Sequence, residues 1–315
     1  MLRLVSRKVL LLIVLVPALH AFGFFYALRH QTPEPVVFYG EIPPGFVFEY
    51  TTPAFWPTYR EYMQAAQAGD WGRVQRTPIT DYVPRFVGRS LQLTAVALVV
   101  TFGLGPLLVL LAIGRRTGRI SPTAITVFTL GSAFPGFFLG TVLIVFLLLT
   151  TRWGWFATLP LPIQGQTTAK HMVLPVLVLA TRPVLYVAYV TAGLLEHEFQ
   201  QDYIRVAKSK GLRWRHLLWR HALPNVAATL LATLGRALQM VIGGLLLVEA
   251  LFDWRGAGWL LYTVIAGRTD GPNYFNAPTL ALLLAVFGAL LIITDLLAAL
   301  ATHLADPRIR QVVRD

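Results

Sequence analysis

Uncharged apolar runs of about twenty residues recur along this chain, and they restrict its fold more than any other feature. Three runs contain no charged residue: 9–28, 90–113 and 120–151. Three further runs contain one charge each, at residues 172–195, 226–248 and 277–301. A helix of this length crosses the hydrocarbon core of a bilayer and satisfies its backbone hydrogen bonds internally. The pattern predicts an all-α, polytopic membrane protein with six transmembrane helices.

The composition agrees with a membrane protein and excludes several other classes. Only 13% of the residues are charged and 56% are hydrophobic, whereas a soluble domain has roughly 25% charged residues. The mean hydropathy is +0.61. The chain has no cysteine, which excludes thiol catalysis, cysteine-ligated zinc and iron–sulfur clusters.

The placement of basic residues predicts the orientation in the membrane. With the N-terminus inside, the inner segments carry fifteen basic and five acidic residues, and the outer segments carry ten basic and nine acidic residues. Cytoplasmic loops have an excess of lysine and arginine. We therefore expect both termini in the cytoplasm, and we attribute the net charge of +12 to topology and not to binding of nucleic acid.

The motifs that would support catalysis or metal binding are incomplete or missing. The sequence contains neither the G-x-x-x-x-G-K-[ST] phosphate loop nor the G-x-S-x-G nucleophile motif. Residues 197–201 (HEFQQ) have Gln201 where a zinc protease needs its second histidine. His216 and His221 lie in a loop rich in arginine and lysine, which disfavours a cation. We expect no catalytic residue, metal site or cofactor in this chain.

Two regions differ in character. Residues 1–89 are interpreted as an N-terminal helix and an outer-face segment, with a surface helix at 58–68 that ends at Gly69. Residues 90–315 form the core of five transmembrane helices. The longest inner loop of this core, residues 196–225, is its most informative segment.

That loop is predicted to contain two short helices separated by a turn. Residues 202–210 have helix-forming composition, with Tyr203, Val206 and Ala207 on one face. Gly211 ends this helix as a cap with positive φ, and residues 214–222 form the second helix. The result is a compact cytoplasmic knob, although a solvated basic loop that only sets the orientation remains an alternative.

At these residues the chain resembles the inner-membrane permeases of binding-protein-dependent ABC transporters. Their loop carries E-A-A-x3-G-x9-I-x-L-P, and Ala207, Gly211, Leu223 and Pro224 stand in that register. Arg205 replaces the glutamate, as is usual in the dipeptide, oligopeptide and nickel branch, whose loop reads D-Y-V-R-T-A-R-A-K-G-L and then R-H-A-L-x-N. The resemblance implies that the following residues couple the chain to ATPase subunits: Asp202, Tyr203, Arg205, Ala207, Lys210, Gly211, Leu212, Arg220, His221, Leu223 and Pro224.

The resemblance covers nearly the whole chain. Residues 69–72 (GDWG) are similar to the family's G-D-L-G, residues 249–258 (EALFDWRGAG) to E-T-V-F-S-W-P-G-L-G, and residues 306–310 to D-P-R-I-R. Pro135 and Gly140 stand as in L-P-S-F-x-x-G. The chain departs from the family at residues 29–35, at Arg255, which replaces a proline, and at Asp295 with Ala299.

The resemblance implies a permease of the type I ABC importer architecture in a bacterial or archaeal cell (inner) membrane. Its partners would be a second homologous permease chain, two cytoplasmic ATPase subunits that use ATP and magnesium, an extracytoplasmic solute-binding protein and the lipid bilayer. The solute would be a peptide, although nickel chelates, glutathione and oligosaccharides are carried by similar permeases. An ion-coupled secondary transporter and an integral-membrane enzyme are the alternatives.

Three charges lie inside the predicted spans: Arg182, Arg236 and Asp295. A charge inside a bilayer faces the bundle interior or water and finds a partner. One interpretation is structural, in which an arginine pairs with Asp295 or caps a carbonyl. The other interpretation assigns the three residues to the translocation path, where an arginine would favour solutes with a carboxylate.

Overall fold

The computed structural model describes residues 2–30, 53–74, 76–115, 117–266 and 276–305. Helices dominate this part of the chain. In order, its elements are α1 (Leu2–His30), α2 (Phe55–Gln67), β1 (Arg73–Val74), β2 (Thr77–Pro78), α3 (Ile79–Ala112), α4 (Pro122–Ala133), α5 (Gly136–Arg152), a 3-10 turn (Ala169–Met172), α6 (Val173–Phe199), α7 (Asp202–Ser209), α8 (Trp214–His216), a π-helical turn (Leu217–Ala222), α9 (Leu223–Leu251), α10 (Ala257–Ile265) and α11 (Ala277–Ala305).

Five helices in the described residues are long and apolar enough to cross a membrane. They are α1, α3, α6, the continuous run that ends in α9, and α11, which confirms five of the six predicted spans. The helix α3 begins at Ile79, eleven residues before the predicted second span at 90–113. Arg85 and Arg89 lie in the part of α3 that precedes residue 90. A helix can continue beyond the bilayer, so these charges are compatible with the span.

The third predicted span, residues 120–151, is not one straight helix. It consists of α4 and α5, which are bent by 97° at their junction. Phe134 is extended, with φ −73° and ψ 135°, as expected for a residue that precedes a proline. Pro135 also lacks the N–H that would continue the helix. By length and composition, α4 and α5 together could make one broken crossing or a re-entrant loop.

Three apolar clusters follow one another along the bundle. The first joins α1, β1, α3, α10 and α11 through residues such as Phe24, Ile79 and Leu260. The second lies between α3, α5, α6 and α9. The third joins α3, α4, α6, α7 and the start of α9. Because α6 contributes to the second and third clusters and has the most buried span, it is the central helix of the bundle.

The first cluster is covered by the segment that precedes α3. The surface helix expected at 58–68 is α2, and Gly69 follows it with φ +94°. β1 and β2 form an antiparallel hairpin with Val74 opposite Thr77. Tyr59 and Tyr62 of α2 pack on His20 of α1, with the His20 and Tyr62 rings stacked at 5.7 Å. Residue 89, the predicted division between the two regions, falls inside α3, so the division stays a prediction.

Candidate functional site

The helix α7 lies next to the third apolar cluster. Asp202 occupies its first turn, where a carboxylate interacts favourably with the helix dipole. Gly211 adopts φ +79°, and its N–H donates to the carbonyl of Lys208 at 3.0 Å. The N–H of Leu212 donates to the carbonyl of Ala207 at 3.3 Å. The glycine therefore closes the helix as predicted.

The buried face of α7 differs from the predicted one. Ile204 and Ala207 are 2% and 8% exposed and pack in the third cluster with Phe199, Leu217 and Leu218. Tyr203 and Val206, expected beside Ala207, are 40% and 53% exposed. The sequence interpretation had left Ile204 out of the buried face. Residues three apart lie on one side of a helix. Because Ile204 and Ala207 face the third cluster, Val206 faces away from it.

A polar network joins α7 to two of the long helices. The hydroxyl of Tyr203 donates to Oε1 of Glu198 in α6. Nδ2 of Asn225, at the start of α9, lies 3.0 Å from the same Oε1 and 2.7 Å from the Tyr203 hydroxyl. We name Glu198, Tyr203 and Asn225 the polar tie. It links the short helix directly to both α6 and α9.

The surroundings of Tyr203 raise the pKa of its phenol, which is neutral at physiological pH even at its ordinary value. Desolvation, followed by the hydrogen bond to Glu198, raises the pKa of Tyr203 to about 12, although the bond from Asn225 opposes the rise. The hydroxyl therefore remains a donor to Glu198 throughout the physiological pH range.

The second predicted helix of the loop, residues 214–222, is not a separate element. α8 continues through the π-helical turn into α9, so that one helical run extends from Trp214 to Leu251. Leu217 and Leu218 are buried, whereas His221 is half-buried. Pro224 is the second residue of α9, and within this continuous run it cannot donate a backbone hydrogen bond to the preceding turn.

The loop between α3 and α4 also contributes to this region, which the sequence interpretation missed. Ile113 and Ile120 form an isolated antiparallel bridge and are buried in the third cluster. A Cβ on Gly118 would lie 2.7 Å from Cβ of Phe199. The sequence feature that could have indicated this contact is the pair of isoleucines on either side of a short, basic, glycine-containing loop.

The predicted coupling residues are brought to one end of the bundle. Arg205, Lys210, Gly211 and Arg220 are exposed there, and Leu212 and Leu223 are half-buried. Arg205 donates to Asp202 one turn away at 3.1 Å, with both side chains exposed. Such a pair contributes little to stability. The surface therefore combines exposed cations with the apolar side chain of Val206.

Two of the three charges inside the spans have partners in the structure. Asp295 of α11 forms an ion pair with Lys8 of α1 and accepts a hydrogen bond from Gln239 at 3.3 Å. The structural interpretation named a pair between Asp295 and an arginine as one possibility, and no such pair is seen among the described residues. Nε of Arg182 donates to the carbonyl of Ser132 at 3.2 Å, which corresponds to the carbonyl-capping alternative. The sequence alone gave no reason to align Lys8 with Asp295.

A further carboxylate inside the bundle was missed. Glu249 belongs to α9 and is fully buried, whereas the predicted span ended at residue 248. Its oxygens accept hydrogen bonds from the hydroxyl of Ser90 at 2.6 Å and from the N–H groups of Gly258 and Trp259 at 2.8 and 3.1 Å. Glu249 thus supplies acceptors to the start of α10. The family-like segment 249–258 was the signal that could have indicated it.

The architecture, a bundle of long apolar helices with a short amphipathic helix at one end, is that of a multi-pass transport permease. A family model described as "binding-protein-dependent transport system inner membrane component" matches residues 105–311. The chain belongs to this family and is a cell-membrane protein. Permeases of the family work with a solute-binding protein and ATPase subunits, and membership decides against an ion-coupled transporter or a membrane enzyme.

Similar proteins carry consistent names. A probable peptide ABC transporter permease of Sinorhizobium fredii is 28% identical over 241 residues, covering 74% of this chain and 72% of the relative. The dipeptide transport permease DppB of Bacillus subtilis is 29% identical over 255 residues, covering 80% and 78%. DppB of Escherichia coli K12 is 26% identical over 285 residues, covering 81% of each chain.

Proposed function

We propose that this chain is the translocating subunit of a peptide importer and that it receives the motion of its ATPase partners through α7. The names of the relatives support the peptide as solute. The observation that carries the coupling role is the polar tie, because it connects an exposed short helix to two spans at once. A displacement of α7 is therefore transmitted to α6 and α9 as a rigid-body movement.

The end of the bundle that bears α7 is cytoplasmic in this proposal. If the bent pair α4–α5 makes one crossing, the chain crosses six times and both termini lie on that side. The basic residues of the α7 region and of the α3–α4 loop then lie inside, in accordance with the positive-inside rule. A second permease chain, two ATPase subunits and an extracytoplasmic solute-binding protein complete the assembly. The motif at residues 306–310 lies outside the described residues.

The translocation path follows one face of α6 and α9 in this proposal. Thr229, Arg236 and Gly243 are exposed on α9 at seven-residue intervals, and Arg182 and Tyr189 are exposed on α6 at the same interval. Residues seven apart lie on one side of a helix. A cation at the bilayer centre costs at least about 2.5 kcal/mol. This face therefore borders water or the second permease chain and not lipid.

The coupling contact can be tested by cross-linking. Because the chain contains no cysteine, Val206→Cys supplies its single thiol on the exposed side of α7. We expect a cross-link to a partner ATPase subunit whose yield changes with bound nucleotide. Arg60→Cys, exposed on α2, is the matched control and should give none. Equal yields from both positions, or none from Val206→Cys, would contradict the coupling role.

The solute class needs a separate measurement. Proteoliposomes with the permease pair, the ATPase subunits and the solute-binding protein should accumulate a labelled dipeptide only when ATP is supplied. Unlabelled dipeptide should compete, whereas a nickel chelate and an oligosaccharide should not. Accumulation of either of these in place of the peptide would reject the peptide assignment but not the permease role.

A further inference from the structure

Arg236 lines a cavity between α9 and α11 that contains a few polar side chains among apolar ones. The cavity has a volume of about 590 Å³, and its lining includes Arg236, Gln239 and Asp295. Arg236 stands near the middle of α9 and its side chain is exposed. Small residues, including Gly235 and Ala298, form much of the remaining wall. The cavity therefore leaves room beside the guanidinium group.

The charges around this cavity are unbalanced. Lys8 forms an ion pair with Asp295, and Gln239 donates to the other carboxylate oxygen at 3.3 Å. The one carboxylate of the cavity lining is thus already neutralised. Within the part of the chain that the structure describes, no hydrogen bond or ion pair of Arg236 is seen. The net charge that remains in the cavity is the positive charge of Arg236.

Arg182 has a different environment and serves as a comparison. Its Nε donates to the carbonyl of Ser132 in the last turn of α4, where a cation interacts favourably with the helix dipole. Arg182 lines a separate cavity. Met240 belongs both to the lining of this cavity and to that of the cavity beside Arg236. The two arginines therefore lie along one continuous face, but Arg182 is already bound to the bend between α4 and α5.

We propose that Arg236 binds the carboxylate of the solute during translocation and so favours solutes with a free carboxylate over neutral analogues. This inference rests on the proposed peptide-import function. A guanidinium group offers paired N–H donors that match a carboxylate, and the free volume beside Arg236 can admit one. The residue is a specificity determinant of the path, distinct from the solute-binding protein.

The test compares a labelled dipeptide with its C-terminal amide in the complete transporter. The measured quantity is the ratio of the two uptake rates. Because all variants use the same binding protein, a change in this ratio arises in the permease. We expect Arg236→Gln to lower the ratio of acid to amide about tenfold, in the range of one charged hydrogen bond. Arg182→Gln should lower both rates and leave the ratio unchanged.

A second variant protects the test against misfolding. Arg236→Lys keeps the charge but loses the paired donors, so we expect the ratio to fall about threefold, between the wild-type ratio and that of Arg236→Gln. An unchanged ratio in Arg236→Gln, or in Arg236→Lys if the glutamine variant does not assemble, would overturn the inference. If the wild-type transporter accumulates neither the peptide nor its amide, the proposed function itself fails.

Discussion

Single residues at the C-terminal end of α9 are arranged around the carboxylate of Glu249. Ser90 donates to Glu249 and accepts a hydrogen bond from the N–H of Ala257 at 2.7 Å. The first N–H groups of α10 are thereby satisfied by side chains from α3 and α9. A hydropathy pattern could not predict this, because it ends a span at the first charge and carries no information on which charges are internally bonded.

Gly256 has no room for a side chain beside this carboxylate. A Cβ there would lie 2.3 Å from Oε1 of Glu249. We expect Gly256→Ala to destabilise the protein by about 1–3 kcal/mol, as overpacking does. Gly103→Ala in α3 is the control, since nothing lies within 4 Å of its Cβ position. Thermal unfolding in detergent should give a lower Tm for Gly256→Ala only, and equal Tm values would refute the close packing.

The ionisation of Tyr203 provides a second test at the residue scale. Its pKa is raised to about 12 from 10.0, so folding favours the neutral phenol. The stabilisation is complete below pH 10 and is lost as the pH rises through 12. In a pH titration, the phenolate absorbance of the wild type minus that of Tyr203→Phe reports Tyr203 alone. Its midpoint should lie near pH 12, and Glu198→Gln should move this midpoint to lower pH. A midpoint near pH 10 would argue against the polar tie.

At the scale of elements, the prediction succeeded where length and charge alone define a helix. Five spans were found because the bilayer imposes a minimum apolar length, and α7 with its glycine cap was found because the cap requires positive φ. The break in the third span was missed, although Pro135 marks it. An apolar run does not reveal whether it crosses the membrane straight or bent, since both arrangements satisfy the same hydropathy.

The buried face of α7 and its polar tie could not be predicted in detail. Side-chain partners that are 22 or 27 residues away, as in the tie, depend on how α6 and α9 pack. Periodicity grouped Ala207 with Tyr203 and Val206, but only Ala207 of the three is buried, and the buried Ile204 was not included. In an eight-residue helix, two residues decide the orientation of the whole element.

The tie should control the stability of α7 relative to the spans. Asn225→Ala removes two hydrogen bonds, each contributing about 0.5–1.5 kcal/mol. We expect the amides of α7 to exchange with solvent roughly tenfold faster, because local opening becomes easier. Thr229→Ala, one turn further along α9, is the control and should leave the exchange unchanged. Equal protection of α7 in both variants would contradict the tie.

At the scale of the whole molecule, α1 is part of the bundle although it precedes the residues matched by the family model. It packs along α11, its Lys8 pairs with Asp295, and a Cβ on Gly23 would lie 2.9 Å from Cα of Ala281. The bundle thus joins an N-terminal helix, a central α6 and the end that carries α7. Movement at α7 has a packed route to the face that bears Arg182 and Arg236.

The measurement that tests this account most directly is the number of solute molecules transported per ATP hydrolysed in Gly211→Val. Gly211 has φ +79° and open space around its Cβ position, so valine adds backbone strain on the order of 1–3 kcal/mol without a clash and misaligns α7. Gly69 has φ +94° and the same open surroundings but lies after α2, so Gly69→Val is the matched control. We predict that Gly211→Val assembles and hydrolyses ATP but transports little solute, whereas Gly69→Val keeps the wild-type ratio. A wild-type ratio in Gly211→Val would contradict the proposal that α7 couples ATP hydrolysis to transport.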